Sequence, residues 1–257
     1  MDLYFNEVFK VTEDAMDQYG AFNISLVVDL PLFIDPFLLF NSKKPKYKEL
    51  HSAIIEYLAF LRDRSVAQNI SDGLLRQWFC FSEVRQNWLG FCAGGNDGRG
   101  LGIDFARALS SNLSALFSDF GNENITKGSH LEKLCLIKEG VGRDTISDFA
   151  TNLIKAYLAE YTQAFAIAYI KPELRRKFAV QRATFNYETE SWMPGIYDLP
   201  AFNGDFVLLT PKEILTKDET WINKEDFFRE FDDIPTAIQN EPLRAQINQY
   251  FRVLREI

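Results

Sequence analysis

The most apolar passage of the chain, Leu26 to Phe40, is too broken to cross a membrane, and that limits what the chain can become. Asp29, Pro31, Asp35 and Pro36 interrupt it, whereas a spanning helix needs roughly 20 predominantly apolar residues. The passage therefore reads as buried strand and turn. Phe22 to Val28 alternates and then turns apolar, as a strand entering a core does. Leu32 to Ile34 is a second short apolar segment, closed by the turn dipeptide Asp35-Pro36.

Around it the pattern is mixed, which predicts an α+β fold rich in helix. Leu50, Ile54, Tyr57, Leu58 and Leu61 recur at helical spacing and predict an amphipathic helix from Tyr47 to about Val66, after a basic loop at Lys43 to Lys48. Ser71 caps a helix through Leu74, Leu75 and Trp78, and another runs from Ile103 to Phe117. A long helix is expected from Ser147 to about Tyr169, stopped by Pro172. Phe178 to Tyr187 reads as strand, as does Phe206 to Leu209. Thr210-Pro211-Lys212-Glu213 then supplies the cap, first-turn proline and capping-box acid of a short helix.

Further helices are expected at Asn223 to Phe231 and Pro242 to Leu254. The chain stops inside the last of these, which reads as a surface at 242–257 for a protein partner or for a homo-oligomer, or as the cut end of a longer protein. The polar stretch Gly121 to Ser129 divides the chain into an N-terminal region, 1–120, and a C-terminal region, 130–257, unless the two form a single domain.

Composition narrows the function classes. A net charge of −8 argues against a sequence-blind nucleic-acid coat while leaving room for a local basic groove. The 23 phenylalanines predict a densely packed aromatic interior. Cys80, Cys92 and Cys135 show no Cys-x-x-Cys spacing and read as reduced thiols in the cytoplasm. With only His51 and His130 beside them, a Cys/His zinc site is not expected. The N-terminus carries acids and no basic region, unlike a secretion signal.

Four patterns can carry chemistry. Gly140-Val141-Gly142-Arg143-Asp144-Thr145-Ile146-Ser147-Asp148 places two carboxylates, Asp144 and Asp148, one helical turn apart. Asn152, Lys155 and Gln163 continue the polar stripe. With Asp35 as a third acid, such carboxylates suit Mg or Mn in a phosphodiesterase, with Lys155 or Lys212 steadying developing charge. Helix capping alone explains Asp144, Ser147 and Asp148 and is the simpler reading, as a turn before proline is for Asp35.

Asp205, the strand after it, Lys212 and Glu213 resemble the acid–strand–Glu-x-Lys layout of restriction-type nucleases, without its Glu-x-Lys on a clear strand. Lys171, Arg175, Arg176, Lys177 and Arg182, interleaved with Phe178, Phe185, Tyr187 and Trp192, suit a nucleic-acid backbone with stacked bases or a solvated charged turn. Gly98, Gly100 and Gly102, ahead of a helix, suit a nucleotide or small anion, or else a surface loop. They lack the P-loop lysine and the dinucleotide fingerprint. No Gly-x-Ser-x-Gly, His-Glu-x-x-His or kinase set is present.

Phe33-Ile34-Asp35-Pro36-Phe37-Leu38-Leu39, Gly142 to Phe149, Glu160-Tyr161-Thr162-Gln163 and Leu208 to Lys212 together resemble bacterial proteins of mobile elements and anti-phage defence islands. That resemblance implies a bacterial cytosolic setting and a role in defence, and it carries no catalytic residue. The expectation is a defence-associated, metal-dependent nuclease. The alternatives are a non-catalytic subunit docking onto a larger protein through aromatic surface and its C-terminal helix, and nucleotide or small-anion binding at the glycine loop.

Overall fold

The computed structural model describes residues 3–66, 70–90, 102–116 and 143–217. Among them are eight α-helices and two small antiparallel sheets, so the chain is α+β and helix-rich. None of these helices is long and apolar enough to cross a membrane. The expected helices at 223–231 and 242–257, the 121–129 linker, Gly98, Gly100, His130, Cys92 and Cys135 lie outside the described residues.

The first helices are α1 (Phe5–Phe9) and α2 (Glu13–Tyr19), the latter capped by Thr12, whose side chain accepts from Ala15 N. Strand β1 (Leu32–Ile34) leads into α3 (Pro36–Asn41) and α4 (Pro45–Val66). Proline fits a helix's first turn, where its missing N–H has no intrahelical acceptor to lose, so α4 starts inside the expected basic loop. Its predicted apolar stripe, Leu50, Ile54, Tyr57, Leu58 and Leu61, is buried throughout. Helix α5 (Asp72–Trp78) is capped as expected, with Ser71 Oγ accepting from Leu74 N at 3.3 Å. Helix α6 (Ile103–Leu116) packs on α4 and α5.

Two expectations change here. Phe22 to Val28 is not a strand. Tyr4 with Ser25, and Ala21 with Pro211, form only isolated bridges, because Ser25 Oγ accepts from Val27 N and Val28 N and turns the chain out of the ladder. The single helix from Ser147 to Tyr169 is two: α7 (Arg143–Leu153) and α8 (Lys155–Tyr169), joined at Ile154 with φ −103° and ψ 14°. No proline or glycine marks that joint. The buried Ile154 side chain and the different packing partners of the two helices hold it.

Strands β2 (Arg175–Asn186) and β3 (Ser191–Phe202) form a long antiparallel hairpin, extended by β4 (Asp205–Phe206). The expected strand Phe206 to Leu209 stops after its first residue. Val207 N donates to Pro200 O, Leu208 N to Gln86 O and Leu209 N to Thr162 Oγ1, so three different neighbours replace one ladder. The short helix after Thr210 is a single 3₁₀ turn, Lys212–Ile214, running into β5 (Leu215–Lys217). Strand β5 pairs with β1, joining Leu32 to Lys217.

Both hydrophobic cores draw on early and late sequence. One packs α4, α5 and α6 against α7 and the hairpin. There Tyr57 meets Phe81, Phe185 and Trp192 with ring centroids 6.1, 4.8 and 5.2 Å away, the aromatic interior the composition predicts. The other gathers Phe5, Phe9, Met16 and Ile24 around Phe165 of α8.

Candidate functional site

Two neighbourhoods along α7 hold several of the sequence-predicted polar residues. At the first, the helix is fastened to β1. Ser147 Oγ accepts from the buried Ile34 N at 3.0 Å, linking segments 113 residues apart. Asp35, the next residue, is only 8% exposed. Its Oδ1 accepts from Phe37 N at 2.9 Å, so it caps α3, as the turn reading expected. Its own N–H donates to Ile214 O at 2.9 Å. Burial outweighs the bonds from Phe37 and Leu38 and pushes the carboxyl up to about 6.

Asp148 follows Ser147 on the helix and is half-buried. The Asp144 side chain lies outside the described residues. Among the described residues, no three His, Cys, Asp or Glu side chains gather as a metal-holding group. A Mg²⁺ site needs less from the protein, because the ion keeps several waters and takes one or two carboxylates plus substrate phosphate. Asp35 retains acceptor capacity beyond its cap, since a carboxylate offers about four lone-pair sites.

The second neighbourhood lies at the other end of α7. Asn152 is buried and donates from Nδ2 to Ser82 O at 2.7 Å and to Asp148 O at 2.9 Å. Phe81 meets Phe149 edge-on with centroids 4.3 Å apart. The segment Cys80 to Ser82 is thereby pinned along α7. Lys155 opens α8, half-buried, and its Nζ donates to Gln181 O at 3.5 Å, a long contact. Burial, and then the charge of Arg182, bring its ammonium down to about 8.

Arg182 is the residue whose role the sequence conceals. The β2–β3 register shifts between Val180 and Thr184, and Arg182 sits inside this bulge at φ 52°. Its Nη2 donates to Gln77 O at 3.1 Å and Cys80 O at 3.0 Å, and Nη1 reaches Arg76 O at 3.5 Å. The guanidinium lies 5.0 Å from the Trp192 ring centroid. It thus binds carbonyls at and just beyond the C-terminal end of α5, where a cation complements the helix dipole. Neither charge spacing nor periodicity signals a bulge at this position.

The other candidates are dispersed. Lys212 is exposed and paired with Asp17 of α2, while Glu213 pairs with Lys44. Arg175 is paired with Asp198 on the facing strand. Arg176 lies over the Phe178 ring at 5.2 Å, and Lys177 is exposed. From Arg175 onward the basic stretch is therefore strand, while Lys171 precedes a 3₁₀ turn at Pro172–Leu174. Asp205 accepts from Gln86 Nε2 at 2.9 Å. Gln163 leaves the α7 stripe altogether, accepting from Asp198 N at 2.7 Å. Gly102 is exposed just before α6, with nothing within 4 Å of the position its Cβ would take. His51 is buried with its ring 5.0 Å from that of Phe40, and the half-buried Cys80 thiol is pushed up by burial.

The profile of a family described as a domain of unknown function (DUF8370) matches residues 10–223, which takes in both neighbourhoods. No curated protein and no solved structure matches the chain.

Proposed function

This chain belongs to the DUF8370 family, and we propose that it is a bacterial, cytoplasmic phosphodiesterase that cleaves nucleic acid with the help of Mg or Mn. The observation that carries the reading is the bond from Ile34 N to Ser147 Oγ. It brings the strand end bearing Asp35 against the helix that bears Asp144 and Asp148, as convergent carboxylates around one cation would require. A buried carboxyl that holds its proton up to about 6 is further support, because a divalent cation would offset its desolvation cost. The cation would be held by Asp35 and Asp148, with Asp144 as the third candidate ligand, and would supply Lewis-acid stabilisation of a phosphoryl oxygen.

On the protein's side, Asn152 anchors the Cys80–Ser82 segment to α7, and Lys155 presents positive charge at the start of α8, just past that helix's end. Lys177 and Arg176 remain available for a phosphate backbone, whereas Arg175 has its charge engaged with Asp198. Lys212, paired with Asp17, is not assigned a part. The defence setting follows from the resemblance of the segments around Asp35, Asp148, Gln163 and Lys212.

The test is incubation of the full chain with single- and double-stranded DNA and RNA in Mg²⁺, Mn²⁺ or EDTA. Cleavage that needs the metal and drops at least 100-fold in Asp148→Ala is expected. Unchanged cleavage in that variant removes Asp148, and no cleavage of any substrate by the wild type ends the proposal.

A further inference from the structure

We infer that Lys155 and Arg182, meeting at the β2 bulge, form a binding subsite for a phosphoryl oxyanion. This deepens the reading above by naming where a phosphate group docks, but it stands on different residues.

The two cations come to the same stretch of β2, Lys155 at Gln181 O, and among the described residues neither is ion-paired to an acid. Among those residues the hydrogen bond of Lys155 is the long contact to Gln181 O. An ammonium has three donors to place, so most of its capacity is unspent. Arg182 has five N–H groups and uses three of them on carbonyls, one at 3.5 Å. Both residues are half-buried, and Arg182's charge acts directly on Lys155. Desolvation and like-charge repulsion both penalise such a pair. The dipole of α5 accommodates Arg182 but does nothing for Lys155.

The backbone is also shaped for the purpose. A non-glycine residue at φ 52° is uncommon and needs its surroundings to hold it. A bulge re-aims a side chain off the regular ladder, and here it turns the Arg182 guanidinium onto the carbonyls at the α5 end, one residue along from the Gln181 carbonyl that Lys155 reaches. Trp192 and Phe81 wall the guanidinium, with ring centroids 5.0 and 5.9 Å away, and limit access of water to it. A tetrahedral oxyanion bridging the two cations would neutralise both and take up the spare donors.

Two sources share that chemistry, free phosphate and a phosphate of a nucleic-acid strand. The experiment titrates the full chain in EDTA with inorganic phosphate and, separately, with a short single-stranded oligonucleotide, by calorimetry. Binding in at least one arm is expected, weakened 10-fold or more in Lys155→Met and largely kept in Lys155→Arg. The Met variant should melt no lower than the wild type, which a purely structural lysine would not allow. Binding by phosphate alone identifies a small-anion site, and binding by the oligonucleotide alone identifies a strand phosphate. No binding in either arm, or equal affinity in Lys155→Met, overturns the inference. A wild type that binds but never cleaves would leave this subsite standing while the phosphodiesterase reading falls.

Discussion

The two ends of α7 bury charge in opposite senses. Near its start, Asp35 is a carboxyl forced toward its protonated form. Beyond its end, Lys155 is an ammonium forced toward its neutral form, both by loss of water. Other charges are paired in the ordinary way, such as Lys44 with Glu213, Lys212 with Asp17 and Arg175 with Asp198. The exposed ones, Lys44 with Glu213 and Lys212 with Asp17, contribute little to stability. The contrast teaches where the fold carries unrelieved electrostatic cost, and pairs of groups driven apart in this way are where acid, base and ligand roles concentrate.

The largest expected effect breaks the acid end. Asp35 binds its proton more tightly folded, at about 6, than unfolded, near 3.8. Its contribution is therefore fully present below about pH 4 and is lost as pH rises through about 6. Asparagine keeps the cap on Phe37 N without the charge. Asp35→Asn should match the wild type near pH 4 and exceed it by up to roughly 3 kcal/mol at pH 8, at 1.36 kcal/mol per unit. Urea unfolding at the two pH values measures this. Mg²⁺ at pH 7.5 sharpens it: the wild type should melt higher with the ion and Asp35→Asn should not, and equal shifts would place the ion elsewhere.

Next in size is the fastening itself. Ser147→Ala leaves the Ile34 N–H buried and unpaired, at a cost of about 1–3 kcal/mol. This loss should be the same at pH 4 and pH 8, because no titrating group is removed. A loss confined to high pH would mean that Ser147 acts by tuning Asp35 and not by holding α7 on β1.

These residues also mark what a linear reading can recover. The stripe of α4 and the Ser71 cap were legible because helical periodicity and capping are local. The burial of Asp35 was legible too, since it closes an apolar run. Its partner segment was not, because the Ser147–Ile34 bond joins positions 113 apart and nothing in either stretch specifies the other. Strand β3 escaped notice because Pro194, Gly195 and Pro200 spoil its pattern. The hairpin tolerates them with Pro194 facing solvent and the Tyr197 ring lying over Gly195, where an added Cβ would come within 2.5 Å of it. Lys212 looked catalytic by its position after a strand, but the fold carries it to Asp17, 195 residues away. The break at Ile154, which sets Lys155 at the start of a new helix, comes from tertiary packing and has no breaker residue to announce it.

The smallest expected effect probes the cationic end. Lys155 holds its proton less tightly folded, at about 8, than unfolded, near 10.5. Between those values the unfolded chain binds more protons, so wild-type stability should rise with pH across that window relative to a chain without the group. Lys155→Met removes the term. It should be more stable than the wild type below pH 8, and the difference should shrink toward pH 10.5. The gain should be smaller than that of Asp35→Asn, because Lys155 keeps partial contact with water. Arg182 faces the amine from β2 and stays charged throughout, so its repulsion is constant across the titration. Added phosphate should erase the wild type's disadvantage at pH 7, since an anion between the cations offsets the penalty that methionine removes. Parallel stability–pH curves for the two proteins would mean that the amine is solvated, and α7 would then carry strain at its acid end alone.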